Sequence, residues 1–168
     1  MPVFAKGQEF DINKQKLNKF AHAVARTEGF GTKNTIPTRY HNPGDLKCKP
    51  KDNRHFKGMK GVGKGGHTIF KNDEAGWEAL RTQITLVLEG HSKNFNRNMT
   101  INQMAKKYAK DWHRWANNMS HNLGVSPDTT LADYFEIPPD YGKPDFSDIL
   151  ASLVSTPVTP IPVFASGI

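Results

Sequence analysis

Helical periodicity in this sequence breaks off at Gly29 and does not resume until Asn72, and that interruption constrains the fold more than any other feature. Before it, Asn13 to Glu28 carries Leu17, Phe20, Ala21, Val24 and Ala25 at spacings of three and four, the pattern of an amphipathic helix, which Gly29 and Gly31 then stop. Within it, from Thr32 to Phe70, Pro43-Gly44 and the glycines at 58, 61, 63, 65 and 66 punctuate loops and short strands. Beyond it a helix from Asn72 or Asp73 to about Glu89 turns Trp77, Leu80, Ile84, Val87 and Leu88 toward a core, with Gly90 as its cap, and is the candidate for a central buried helix. Thr100 and Gln103 form a capping box opening a helix that bears Ile101, Met104, Ala105 and Tyr108 on one side. The next presents Trp112, Trp115, Ala116, Met119 and Leu123 and ends at Gly124. Ser126-Pro127 reads as the N-cap and first-turn pair of a short helix through Tyr134, and Asp145 to Val154 as one more.

The expected class is therefore mostly α, of the α+β kind: a helical bundle around a central buried helix, with a small Gly-rich β/loop lobe. A chain of 168 residues holds one compact domain with a sizeable core, not two. The expected division is an N-terminal arm over 1–12, a domain over 13–154 and a Pro-rich extended tail over 155–168. That tail has Pro157, Pro160 and Pro162 and no charged side chain, and reads either as disordered or as a strap docking on a partner. The single cysteine, Cys48, leaves packing rather than a disulfide to hold the fold. Met1 to Phe10 has no apolar run of signal-peptide length, and no later segment reaches the roughly 18 apolar residues of a membrane span. A substrate outside the cytoplasm would thus need another route of delivery.

With 23 Lys and Arg against 16 Asp and Glu, the net charge of +7 favours polyanionic partners: nucleic acid, an anionic membrane or bacterial cell wall. Lys47, Lys49, Lys51, Arg54, Lys57, Lys60 and Lys64 gather in the lobe, where they are either phosphate contacts or a solvated loop. The run Gly58 to Gly65 approaches a phosphate-binding loop but has Gly65 where Ser or Thr should reach magnesium, and no apolar strand precedes it. Gly61 to Gly66 fits the dinucleotide fingerprint only formally, without the flanking strand and helix. The seven histidines form no His-Glu-x-x-His pair, and Cys48 with His41 and His55 has no zinc spacing, so neither a metal nor another cofactor is expected.

Glu28 stands out because it lies four residues after Val24 and eight after Phe20, nearly on the apolar stripe. Partial desolvation there, and the negative end of the helix dipole, would both push its carboxyl upward in pKa and keep it able to donate a proton near neutral pH. Breaking a glycosidic bond needs such an acid, since the leaving oxygen must be protonated as the ring gains oxocarbenium character. The alternative is a helix-terminal Glu turned to solvent. Asp45 is the best second carboxylate, although an Asp after Pro-Gly also serves simply to form a turn. Tyr40, Asn42, Phe70, Tyr108 and Trp115 have the aromatic and amide groups a sugar groove uses, whereas Trp77 and Trp112 read as core.

The order Glu28-Gly29-Phe30, then Ile36-Pro37-Thr38-Arg39-Tyr40-His41-Asn42-Pro43-Gly44-Asp45-Leu46, resembles the lysozyme-like superfamily, in particular goose-type lysozymes and lytic transglycosylases. Asn-Pro-Gly-Asp-Leu is similar to the Asn-Pro-Gly-Asn-Leu/Ile element of phage-associated members. Thr68-Ile69-Phe70 through Leu80, and Leu123-Gly124-Val125 with Leu131, resemble later blocks, so that the likeness spans roughly Phe20 to Phe135. Position 45 departs from it, and the Gly-Leu-Met-Gln sequence of many transglycosylases is missing, which leaves hydrolysis and transglycosylation both open.

The resemblance implies a lysozyme-like fold with Glu28 as catalytic acid and Tyr40, Asn42, Asp45, Phe70 and Tyr108 as substrate-binding candidates. Tyr108 would be the aromatic that faces the acid from a later helix, though its spacing from Met104 also suits ordinary packing. It further implies a phage muramidase that cuts peptidoglycan glycan strands between N-acetylmuramic acid and N-acetylglucosamine. In the transglycosylase route a single Glu serves as acid and then base, and the product ends in 1,6-anhydromuramic acid. Such a protein would ride in the virion, with the tail on other virion proteins, or leave the host cytoplasm at lysis to reach the periplasmic or extracellular wall. Two other readings predict differently. A non-catalytic virion or wall-binding protein keeping the fold would bind glycan without cutting it. A nucleic-acid-binding module would show steep salt dependence and indifference to Glu28.

Overall fold

The computed structural model describes residues 10–48 and 55–142 of the chain. The helix expected over Asp145 to Val154, the Pro-rich tail, most of the N-terminal arm, and Lys49, Lys51 and Arg54 lie outside the described residues. The chain divides into two compact units, Met1–Pro138 and Pro139–Ile168, and the fold that follows is that of the first.

The helices form where period and caps agree. Helix α1, Lys14–Thr27, starts at Asn13, whose side chain accepts from the N–H groups of Gln15 and Lys16, and buries Phe20, Ala21, Ala23, Val24 and Ala25. Helix α2, Ile36–Arg39, is one turn long, with Thr35 as N-cap. Strands β1, Met59–Val62, and β2, Thr68–Phe70, pair antiparallel in the register Gly61 with Ile69 and Val62 with Thr68, joined by a tight 3-10 turn at Lys64–Gly66. Helix α3, Asp73–Leu88, has Asn72 as N-cap and the acids Asp73 and Glu74 in its first turn, where the dipole favours them. Helix α4, Ile101–Tyr108, has the full Thr100–Gln103 capping box. Helix α5, Trp112–Leu123, ends on Gly124 in the left-handed conformation, and helix α6 is Leu131–Phe135.

The described residues are thus mostly helical, with one small two-stranded antiparallel sheet. Helix α1 packs on both α3 and α5, and α4 packs on α5. The core between them holds Phe20, Leu88, Ile101, Met119, Leu131 and Phe135, with the rings of Phe20 and Phe135 5.5 Å apart. A separate cluster of Phe70, Ala75 and Ala79, edged by Leu46 and Phe56, fastens the lobe to α3. Helix α3, the candidate central helix, buries Ala75, Gly76, Ala79, Leu80, Ile84 and Leu88 and leaves Glu74, Glu78 and Thr82 facing solvent.

Helix α6 begins at Leu131 behind Thr130, not at Ser126-Pro127. The expected first turn is instead spent on a neighbour. The N–H of Asn102 donates to Pro127 O, that of Ile101 donates to Thr129 O, and Thr100 bridges to Thr130. These bonds satisfy N–H groups at the start of α4 that would otherwise be orphaned. The two tryptophans read as core, Trp77 and Trp112, are only partly buried. Trp77 meets the edge of Phe30 at 5.4 Å, and Trp112 lies under the Lys106 ammonium at 4.6 Å.

Candidate active site

Glu28 is the C-cap of α1, and the way the helix ends fixes its position. Gly29 takes a φ of +80°, its N–H donates to Arg26 O, and the N–H of Phe30 donates back to Ala25 O at 2.9 Å. This paired closure needs glycine at the left-handed position. It leaves Glu28 in helical geometry on the apolar side, and there the indole N–H of Trp115 on α5 donates to its carboxyl Oε1 at 2.6 Å. Burial pushes the carboxyl up to about 7, a rise that Asp45 reinforces and that the Trp115 hydrogen bond and the Lys47 charge oppose.

The sign of the Trp115 contribution yields a test. An N–H donor favours the ionised carboxylate, so Trp115→Phe is expected to raise the ionisation of Glu28 further, by about one unit. A carboxyl-resolved NMR titration of the variant reads this directly, and a midpoint below the wild-type value would contradict the arrangement.

Asp45 reaches the same place through a turn built around the Asn42 side chain. The Asn42 side chain, wholly buried, donates from Nδ2 to Leu46 O and Thr68 O, both at 2.9 Å, and accepts the Leu46 N–H at 2.8 Å. The Asp45 N–H donates to Asn42 O, and Asp45 itself adopts a φ of +47°, a conformation that Asp tolerates better than most residues. From α4, the Tyr108 hydroxyl donates to Gly44 O. The Asp45 carboxyl stands 2.6 Å from Nδ1 of His67 and is raised in pKa by burial, against the pull of His67 and Lys47.

Tyr108 ties the two carboxyls together. Its ring lies 5.0 Å from that of Trp115, and burial, with the charges of Glu28 and Asp45, keeps the phenol well above its usual range and so neutral. One chain of contacts therefore runs from the Asp45 turn through Tyr108 and Trp115 to Glu28.

Of the residues the sequence singled out, Glu28, Asp45, Tyr108 and Trp115 converge. Asn42 and Phe70 are both buried within the lobe. Asn42 has its amide committed to the turn, and Phe70, 1% exposed, is core of the lobe. Tyr40 packs over Gly63 and accepts the Lys64 N–H at 3.3 Å, so its contacts are within the lobe. Lys47 and His67 were missed. Lys47 was one of seven basic residues in a run, and His67 lies 22 positions from the carboxyl it meets.

A groove of about 730 Å3 along α1 and α3, lined by Lys14, Leu17, Arg81 and Thr85 among others, includes none of this cluster. Its acids Glu78 and Glu89 are exposed, so it lacks the desolvated carboxyl that acid catalysis requires. Among the described residues no group of three metal-ligating side chains occurs, and no helix is long and apolar enough to cross a membrane. What the cluster can do is proton transfer: one carboxyl pushed up to about 7 by burial, with a second carboxyl, Asp45, reinforcing that rise.

No protein-family model, curated protein or solved structure matches this chain.

Proposed function

We propose that the protein is a peptidoglycan-cleaving muramidase of the lysozyme-like kind, acting on the β-1,4 bond between N-acetylmuramic acid and N-acetylglucosamine. The observation that carries this is the Glu28 carboxyl, pushed up to about 7 at the end of α1 with Asp45 beside it. That combination supplies an acid that is still protonated where the wall is cut and a negative charge to face an oxocarbenium-like ring. The order of residues around it, Glu-Gly-Phe followed by Asn-Pro-Gly-Asp-Leu, supports the same reading.

In the favoured course Glu28 gives its proton to the leaving glycosidic oxygen. The resulting carboxylate then takes the proton of the muramic acid C6 hydroxyl as that oxygen closes on C1. One residue thus serves as acid and then base, with no external water consumed. The site would act on cell wall reached from a virion or on release at lysis. Digestion of purified peptidoglycan, with products resolved by mass spectrometry, tests this: 1,6-anhydromuramoyl ends are expected. Reducing ends would replace transglycosylation by hydrolysis. Intact sacculi with retained binding would favour the non-catalytic wall-binding role.

A further inference from the structure

The muramidase reading uses Glu28 and leaves His67 without a part. His67 nonetheless sits on a closely bonded stretch of backbone in the lobe. Its segment is sewn to the Asp45 turn on both sides, by the Thr68 N–H donating to Leu46 O at 2.8 Å and the Cys48 N–H donating to Gly66 O at 2.9 Å. Its own carbonyl accepts the Gly63 N–H at 2.8 Å, and it bridges to Lys47. The imidazole is 13% exposed and its Nδ1 stands 2.6 Å from Oδ1 of Asp45. That separation puts the ring nitrogen within ion-pair reach of the carboxylate.

Oδ1 of Asp45 is sealed from solvent against the ring, while the carboxyl side chain as a whole stays 21% exposed. One oxygen of the carboxyl is thereby anchored at the ring. We propose that His67 is a positioning residue: it fixes the orientation of the Asp45 carboxyl beside the Glu28 site, so that this group faces the positive charge that develops on the sugar ring. This inference rests on Glu28 being the acid of the proposed reaction.

The groups facing the two carboxyls are few. Glu28 is met by Trp115 from α5, and by Asp45 and Lys47 from the turn; Asp45 is met by His67 and Lys47. The phenol of Tyr108 from α4 feels both charges and stays neutral. Without His67 the pull that opposes burial at Asp45 is lost, so the Asp45 carboxyl shifts further up and its charge presses less on Glu28. Glu28 should then ionise at lower pH.

The experiment compares wild type with His67→Leu, His67→Asn, Asp45→Asn and the double variant, by peptidoglycan cleavage across pH and by carboxyl NMR titration of Glu28. Asn can place an amide N–H near where Nδ1 stood, so it tests the donor apart from the ring. His67→Leu is expected to lower kcat about tenfold with little change in KM and to move the Glu28 titration down by about half a unit. His67→Asn should restore most of both. Adding His67→Leu to Asp45→Asn should cost nothing further. A Glu28 titration in His67→Leu equal to wild type, or full additivity in the double variant, would overturn the proposal. Wild type that leaves peptidoglycan intact while the titration shifts as expected would retire the muramidase reading and keep the pair as what sets the charge of Glu28.

Discussion

Glu28→Gln is expected to abolish release of soluble glycan from peptidoglycan, lowering the rate at least ~1,000-fold, while the protein stays folded. Gln keeps an acceptor oxygen for the Trp115 indole, which donates at 2.6 Å in the wild type, so the site's packing survives. What disappears is the proton. Stability should move the other way. The Glu28 carboxyl ionises at about 7 in the folded chain against an ordinary value of 4.5, so folding holds the proton more tightly than the unfolded chain does. Its contribution is therefore full below the ordinary value and lost as pH rises through about 7. Wild type should lose on the order of 2 kcal/mol between pH 5 and pH 8 for this reason, a loss that Glu28→Gln escapes. Thermal denaturation of both proteins at the two pH values measures the difference. Parallel behaviour would mean that Glu28 is not desolvated.

Gly76→Ala should be the most damaging single methyl in the fold. Within a helix this change ordinarily stabilises by about 1 kcal/mol. Here a Cβ would come within 2.0 Å of His41 O and 2.7 Å of Pro43 Cδ. Neither obstacle can rotate away, since one is backbone and the other a ring. Either α3 must retreat from the His41–Pro43 segment or the segment must shift, and with it the turn that carries Asp45. A loss of about 3 kcal/mol or more is expected, lowering Tm by roughly 10 °C, together with most of the cleavage activity. A variant with wild-type Tm would show that this close approach does not exist in solution.

The sequence was most legible where structure is local. Helices α1, α3, α4 and α5 combine a helical period with caps, at Asn13, Asn72, Thr100 and Gly124; α1 and α3 form within a residue or two of their expected bounds, α4 starts and α5 ends where expected. Helix α2 has four residues, too few to show a period, and Pro37 reads as loop punctuation although it sits in the first turn. Ser126-Pro127 reads as a helix start because nothing local reveals that its backbone is needed by α4.

The candidate site divides the same way. Glu28 could be found because the α1 stripe shows which side it faces. Asn42 and Phe70 could not be told from groove residues, since their partners at Thr68 and Ala75 come from beyond the turn or from another element. His67 is legible only once the segment before β2 is laid beside the Asp45 turn.

On the proposed mechanism Glu28 donates a proton because its site keeps it protonated near neutral pH. The most direct measurement is the pH dependence of kcat/KM for peptidoglycan cleavage by the wild-type protein, taken from pH 4 to pH 9. An alkaline limb is expected with its midpoint near 7, the value to which burial pushes Glu28. A rate that falls with a midpoint near an ordinary carboxyl, or that stays level through pH 9, would contradict it.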